Sequence, residues 1–166
     1  MLILAPLIGV RNLYSRYKEK DYPTTTWVPK PLVTEQEVKD FCSNNYKWKQ
    51  DPGPYGIFDH IQPTSYGNYR LEYGDFIKGD CDDLATYTLY TLARSTLPIT
   101  ATYRVNIVSM KHVIGVYCYS GRYNYTTNFE ACFNMSTGGV KSCVRQYCKD
   151  VNAQYTPWWY AEKLRF

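Results

Sequence analysis

The sequence predicts a single α+β domain in which a helix packs on an antiparallel sheet. Residues 81–93 carry apolar side chains at helical spacing, and residues 99–107 alternate between apolar and polar. Residues 112–128 contain a strand, a Ser-Gly turn and a returning strand. The chain has 166 residues, which is the size of one domain. We therefore expect at least three antiparallel strands after the helix, with the helix on one face of their sheet.

The composition excludes several classes of protein. A hydrophobic fraction of 45% excludes a disordered chain. The net charge is only +4, and no run of Lys and Arg occurs, so we expect no nucleic-acid partner. The opening MLILAPLIGV lacks a preceding basic segment and a cleavage site, and it is too short to span a membrane. We expect it to form a buried strand or hydrophobic arm, or else an interfacial anchor or docking tail, in a soluble, cytoplasmic protein.

The first predicted helix covers residues 35–45. Thr34 is a good N-cap, and Glu37 follows three residues later, which is the spacing of a capping box. Val38 should then face inward. The preceding residues 22–32 contain three prolines and three threonines, so we expect an extended arm on the surface.

Two segments have no periodic pattern. Residues 51–74 mix Pro, Gly and aromatic residues, which predicts a long structured loop of the kind that borders functional sites. The tail from residue 141 to 166 ends in TPWWYAEKLRF, an aromatic cluster that is either a lid on the core or an interface.

The second helix begins at Cys81, with Asp80 as its cap, and ends before Pro98. The unpaired N–H groups of a helix start carry partial positive charge, so they favour a thiolate and make Cys81 a candidate nucleophile. Asp80, Asp82 and Asp83 oppose this effect with three negative charges. These acids are interpreted as helix caps without a metal, and Cys81 therefore needs a cationic partner.

The sequence contains two histidines that could serve Cys81, His112 at the head of a strand and His60 in the long loop. A general base must reach the nucleophile and be held in one tautomer by a third polar group. We expect residues 125–128 of the return strand to lie alongside His112, so Asn128 or Thr127 could accept its Nδ1 proton.

The oxyanion formed by thiolate attack is stabilised by preorganised hydrogen-bond donors. The backbone N–H of Cys81 is one candidate, and Trp48, Tyr55 or Gln62 could supply the second. The other five cysteines are expected to be small packing residues, since two histidines and irregular cysteine spacing do not form a typical zinc site. No cofactor or metal is therefore expected.

The string GDCDDLA at 79–85, the strand KHVIGVY at 111–117 and the hairpin return resemble the transglutaminase-like cysteine peptidase superfamily, in its bacterial and phage branch. The resemblance covers roughly residues 35–135. It implies a papain-like α+β fold with a Cys, His, Asp triad, in which Cys81 matches the nucleophile and His112 the base. Where the family usually has Asp, this sequence reads Thr127 and then Asn128.

The resemblance implies an N-terminal arm over 1–33, a catalytic core over 34–135 and a C-terminal extension over 136–166. The expected function is thiol-dependent acyl transfer on amide bonds of a protein or peptide substrate, as in a cysteine peptidase or amidase. A transglutaminase or deamidase is the first alternative. An inactive binding module, such as a phage virion or host-targeting protein, is the second. A phage-encoded protein would act in the host cytoplasm or the virion, and its oligomeric state is left open.

Overall fold

The protein is described by a computed structural model over residues 22–50, 61–133, 135 and 138–166. The MLILAPLIGV segment, Tyr55 and His60 therefore lie outside the described residues. The elements, in chain order, are α1 (Glu35–Asn45), β1 (Tyr46–Trp48), α2 (Thr64–Glu72), β2 (Ile77–Gly79), α3 (Cys81–Arg94), β3 (Ile99–Ile107), a 3₁₀ turn (Val108–Met110), β4 (His112–Tyr119), β5 (Arg122–Thr126), α4 (Val140–Asp150) and β6 (Trp159–Leu164).

The main sheet has four antiparallel strands in the order β5-β4-β3-β6, and a second sheet consists of the parallel pair β1-β2. Helix α3 packs on β3 and β4. The predicted α+β class, with a helix on an antiparallel sheet, is confirmed. Ser120 and Gly121 both have positive φ, of 49° and 76°, as the two central residues of a tight hairpin turn require. Within the described residues, the helices are too short or too polar to cross a bilayer.

The sheet carries a hydrophobic cluster on each face. On one face, Leu84 and Leu89 of α3 pack with Tyr117 of β4. On the other face, Val144 of α4 packs with Ile114 of β4. Successive residues of a strand point to opposite faces, so β4 contributes residues to both clusters. Residues 138–166 thus supply a covering helix and an edge strand of the sheet.

Helix α1 begins as predicted. The Glu37 N–H donates to Thr34 Oγ1 at 3.1 Å, and the Thr34 N–H donates to Glu37 Oε2 at 3.2 Å, which completes the capping box. Val38 and Cys42 are buried. Residues 22–33 contain no helix or strand, as expected for the extended arm.

The prediction of a continuous loop over 51–74 is wrong for residues 64–72, which form α2; residues 51–60 lie outside the described residues. The buried residues of α2 are Gly67 and Asn68, so this helix has no apolar stripe for sequence analysis to detect. A Cβ atom on Gly67 would lie 2.2 Å from Cε2 of Tyr87 in α3. Tyr87 also donates its hydroxyl to Asn68 Oδ1 at 2.5 Å, so contact with α3 holds α2 in place.

The prediction that β3 is half-buried is also wrong. Thr102, Arg104 and Asn106 on its polar side are each at most 8% exposed. Arg104 reaches Thr86 of α3 at 3.5 Å and donates to Glu162 of β6 at 2.5 Å. The alternating pattern therefore reflects a polar strand face that is covered by a helix and hydrogen-bonded to it.

Several of the tyrosines are core residues whose hydroxyl groups are hydrogen-bonded. Tyr117 donates to the carbonyl of Cys132, and Tyr125 donates to Asp150. A buried phenol combines a large apolar ring with a hydroxyl that needs a partner. These tyrosines therefore join separate parts of the chain by polar contacts within the core.

Candidate active site around Cys81

Cys81 is the first residue of α3, and Asp80 is its N-cap as predicted. Asp80 Oδ1 accepts from the Asp82 N–H at 3.3 Å, and Asp80 O accepts from the Leu84 N–H at 3.1 Å. Asp82, Asp83 and Leu84 are buried, whereas Cys81 is partly exposed. The thiol therefore stands where solvent meets the start of a helix that is buried from Asp82 to Leu89.

The GDCDD motif is held by Gln62. The Gln62 N–H donates to Asp83 Oδ1 at 2.7 Å, and its Nε2 donates to Asp83 Oδ2 at 2.7 Å and to Lys78 O at 2.9 Å. These bonds engage both hydrogens of Nε2. A Cβ atom on Gly79 would lie 2.3 Å from Cβ of Asp83, so the motif requires glycine at this position for the close approach.

Trp48 lies beside the same motif. It is the last residue of β1 and pairs with Gly79 in the parallel sheet, while the Lys49 N–H donates to Gly79 O at 2.9 Å. The side chain of Trp48 is 49% exposed. The strand pair therefore places an accessible indole near the start of α3.

His112 is the first residue of β4, as predicted, and its side chain is partly buried. Burial lowers its pKa, and the negative charge of Asp80 opposes this effect. His112 and Asp80 thus interact electrostatically across the start of α3 and the start of β4. The lowered pKa favours the neutral imidazole, which is the form that can accept a proton.

Tyr147 of α4 contacts His112 and interacts electrostatically with Cys81. Its ring stacks on the imidazole of His112, with centroids 5.5 Å apart and planes at 19°. Burial raises the pKa of Tyr147, and the Cys148 and Cys81 thiols raise it further. The ring contact and this electrostatic interaction therefore link α4 to the starts of β4 and α3.

The expected pairing of residues 125–128 with His112 is wrong. Tyr125 pairs with Val116, and Thr126 pairs with Gly115. The pairing therefore stops three residues short of the position opposite His112. The chain then reverses, because the Thr127 N–H donates to the carbonyl of residue 130 at 2.9 Å and Thr126 bridges to residue 131. Asn128 lies in this turn, and its Oδ1 is buried without a hydrogen-bond partner.

Four of the other five cysteines are held as neutral thiols. Burial raises the pKa of Cys42 and Cys132 to about 11 and that of Cys143 to about 12, and it raises the pKa of Cys148 as well. Protonated, buried thiols behave as small hydrophobic residues.

Asp80, Asp82 and Asp83 place one carboxylate oxygen each within 4.8 Å of the others, the one potential cation-binding group among the described residues. Two of these acids have other hydrogen-bonding roles. Asp83 accepts from Gln62, and Asp80 accepts from the backbone of α3. Capping and support of α3 thus account for Asp80 and Asp83 without an ion.

The sequence alone did not indicate a role for Tyr147, although α4 has a pattern that identifies it as a buried residue. Cys143, Val144, Tyr147 and Cys148 recur at helical spacing and are buried. This spacing does not predict the contact with His112, because that contact depends on how α4 crosses the sheet.

No model of a known protein family matches the sequence, and no curated protein matches it either.

Proposed function

We propose that the protein is a thiol-dependent acyl-transfer enzyme that acts on amide bonds of proteins or peptides, with a papain-like, transglutaminase-like arrangement of Cys81 and His112. One observation carries the proposal. A partly exposed cysteine begins a capped helix, and the Asp80 cap of that helix interacts electrostatically with a histidine at the start of β4, a strand on which the helix packs. A nucleophile and a base that can reach each other are typical of thiol catalysis.

In the proposed reaction, Cys81 Sγ attacks the carbonyl carbon of the amide while His112 takes the thiol proton. The tetrahedral intermediate collapses with cleavage of the C–N bond, and His112 gives the proton to the leaving amine. The product is a thioester on Cys81. Water or a second amine then attacks the thioester, with His112 again taking a proton, and the thiol is restored.

The electrostatic setting of His112 suits this sequence of steps. Because burial lowers the pKa of His112, the free enzyme holds a neutral imidazole that can act as a base. Once the proton has moved, the imidazolium faces the negative charge of Asp80. Asp80 thus has a second proposed role beside helix capping, the stabilisation of the ion pair that forms during attack.

The proposed oxyanion site combines the backbone N–H of Cys81 with the indole N–H of Trp48. Donors aimed at the developing negative charge are a large source of rate enhancement. We assign Gln62 to the support of this site, since both Nε2 hydrogens are engaged by Asp83 and Lys78.

Asn128 is the proposed third member of the constellation, with Thr127 as its alternative. Strand β5 ends before it reaches His112, so this role requires the turn after β5 to bring Asn128 Oδ1, which is buried and has no hydrogen-bond partner, within hydrogen-bond distance of the His112 Nδ1–H. The backbone hydrogen bonds of Thr127 lie within the turn after β5, which leaves its hydroxyl as the group that could take this part.

Attack by water on the thioester would make the protein a peptidase, amidase or deamidase. Attack by an amine would make it a transglutaminase. Incubation with a glutamine-containing peptide separates these outcomes, because ammonia release alone indicates deamidation and incorporation of an added primary amine indicates transamidation.

An inactive binding module, such as a phage virion or host-targeting protein, is the second candidate. The observation that favours it is the end of β5 at Thr126, which leaves no acidic residue paired beside His112 in the hairpin. Under this candidate, Cys81→Ser would leave every activity of the protein unchanged.

The test is covalent labelling with a peptide-amide electrophile, followed by mass spectrometry of the peptides. We expect an adduct on Cys81, and His112→Gln should slow its formation by roughly 10²–10⁴-fold, the usual contribution of a general base. Cys132 is the matched control, since it is also partly exposed but burial raises its pKa to about 11. Equal labelling rates for Cys81 and Cys132 would refute the proposed nucleophile.

A further inference from the structure

We propose that Tyr147 is a positioning residue that fixes the imidazole of His112 for transfer of the Cys81 proton, an inference that rests on the proposed function. The two rings stack with centroids 5.5 Å apart and planes at 19°. Tyr147 is only 6% exposed, so its ring is a fixed surface. A flat, fixed surface against one face of an imidazole limits rotation of that ring about its side-chain bonds.

Tyr147 is itself held by its neighbours. The ring of Tyr125 in β5 meets it edge-on, with centroids 5.5 Å apart and planes at 78°. The Tyr125 hydroxyl donates to Asp150 Oδ2 at 2.5 Å, and Gln146 Nε2 donates to Asp150 Oδ1 at 2.8 Å. A series of contacts from α4 through β5 therefore ends at His112.

The hairpin explains why stacking is needed here. In a Cys-His site the imidazole is usually oriented by a hydrogen-bond acceptor on a neighbouring strand. The last paired residue of β5, Thr126, lies opposite Gly115. Strand β5 therefore stops three residues short of the position opposite His112, and the chain then turns back. Tyr147 approaches from α4, on the face of the sheet opposite α3, and takes over part of this orienting role.

Two titratable groups on different packed elements face the imidazole. Asp80 at the start of α3 interacts with it electrostatically, and Tyr147 of α4 stacks on it. Removal of the Tyr147 ring would admit water to His112, and its pKa should then rise toward the ordinary value of 6.5.

The experiment uses Tyr147→Met, which fills space without a ring, and Tyr147→Phe, which keeps the ring. The chain has two histidines, so NMR titration of their ring protons is resolved once His60→Gln identifies one of them. We expect Tyr147→Met to raise the pKa of His112, to move its ring protons downfield and to slow Cys81 labelling by roughly 10²-fold, as misplacement of a catalytic group does. In Tyr147→Phe, the pKa of His112, its ring-proton shifts and the rate of Cys81 labelling should all match those of the unaltered protein.

Unchanged His112 resonances and labelling in folded Tyr147→Met would overturn the inference, as would equal losses in Tyr147→Met and Tyr147→Phe. If Tyr147→Met does not fold, cross-relaxation between the ring protons of Tyr147 and His112 in the unaltered protein decides the point, and its absence overturns the inference. If Cys81 is inert in the unaltered protein, the proposed function fails. The NMR titration then still shows whether Tyr147 fixes the imidazole.

Discussion

Gln62 binds both carboxylate oxygens of Asp83, one through its backbone N–H and one through its side-chain amide, each at 2.7 Å. Asp83 is only 4% exposed, so Gln62 satisfies a carboxylate that water barely reaches. This contact ties the segment before α2 to the helix that starts at Cys81.

Loss of the Gln62 amide should destabilise the fold. In Gln62→Leu the carboxylate of Asp83 would keep only one of these two bonds, and we expect the free energy of unfolding to fall by about 2–3 kcal/mol, because hydrogen bonds to buried charges are the costly ones to lose. Urea denaturation measures the change. Gln36 is the matched control, since it donates to Asp40 at 2.8 Å on the exposed surface, and Gln36→Leu should cost under about 0.5 kcal/mol. Equal losses in the two variants would contradict this account.

A methyl group at Gly79 should displace the start of α3. The Cβ of Gly79→Ala would meet Cβ of Asp83 at 2.3 Å, and overpacking of this kind costs about 1–3 kcal/mol. We expect the folded variant to label Cys81 more slowly as well. Gly67→Ala brings a similar clash, with Tyr87, but away from the motif. It should destabilise the protein without slowing Cys81, and a loss of Cys81 reactivity there would argue against a local effect.

Stability should fall as the pH is lowered through 6.5. The folded-state pKa of His112 lies below the unfolded value near 6.5, so the unfolded chain binds more protons between the two values. The contribution of His112 to the free energy of unfolding is therefore fully present above pH 6.5. It is lost as the pH falls toward the pKa of His112 in the folded protein. Urea denaturation at a series of pH values, for the unaltered protein and for His112→Gln, measures it. A difference between the two that does not change with pH would rule this linkage out.

The hydroxyl of Tyr87 should contribute more to the free energy of unfolding than the hydroxyl of an exposed tyrosine. It donates to Asn68, which is only 4% exposed, and Tyr87→Phe leaves the amide oxygen without this donor. We expect a loss of about 1–3 kcal/mol in thermal or urea unfolding. Tyr73 is 71% exposed, and Tyr73→Phe should change stability by under about 0.5 kcal/mol. A silent Tyr87→Phe would mean that Asn68 finds another donor.

Local signals predicted the helices and strands that use them. The Thr34–Glu37 capping box, the Asp80 cap and the hairpin turn at Ser120 each act within a few residues, and each stands where the sequence predicts it. The same is true of His112 at the start of β4. These features depend on backbone hydrogen bonds between near neighbours, which a sequence records directly.

Features that depend on distant contacts were not predictable in this way. Helix α2 buries Gly67 and Asn68 against Tyr87, so its packing surface contains no apolar periodicity. The short parallel pair β1-β2 is only three residues long on each side. The contact between Tyr147 and His112 joins α4 to β4 through the crossing of a helix over a sheet, and no local pattern encodes that geometry.

The position of β6 at the end of the sheet affects how the chain folds during synthesis. Strand β3 has β4 on one edge and β6 on the other. Leu164 of β6 pairs with Thr102 of β3, so the two partners are separated in sequence by most of the second half of the chain. During synthesis, β3 and β4 can form a hairpin while the other edge of β3 is still open, because its partner has not yet left the ribosome. An open edge is a template for pairing between molecules, so a nascent or truncated chain that lacks Trp159–Leu164 should be prone to aggregate at β3.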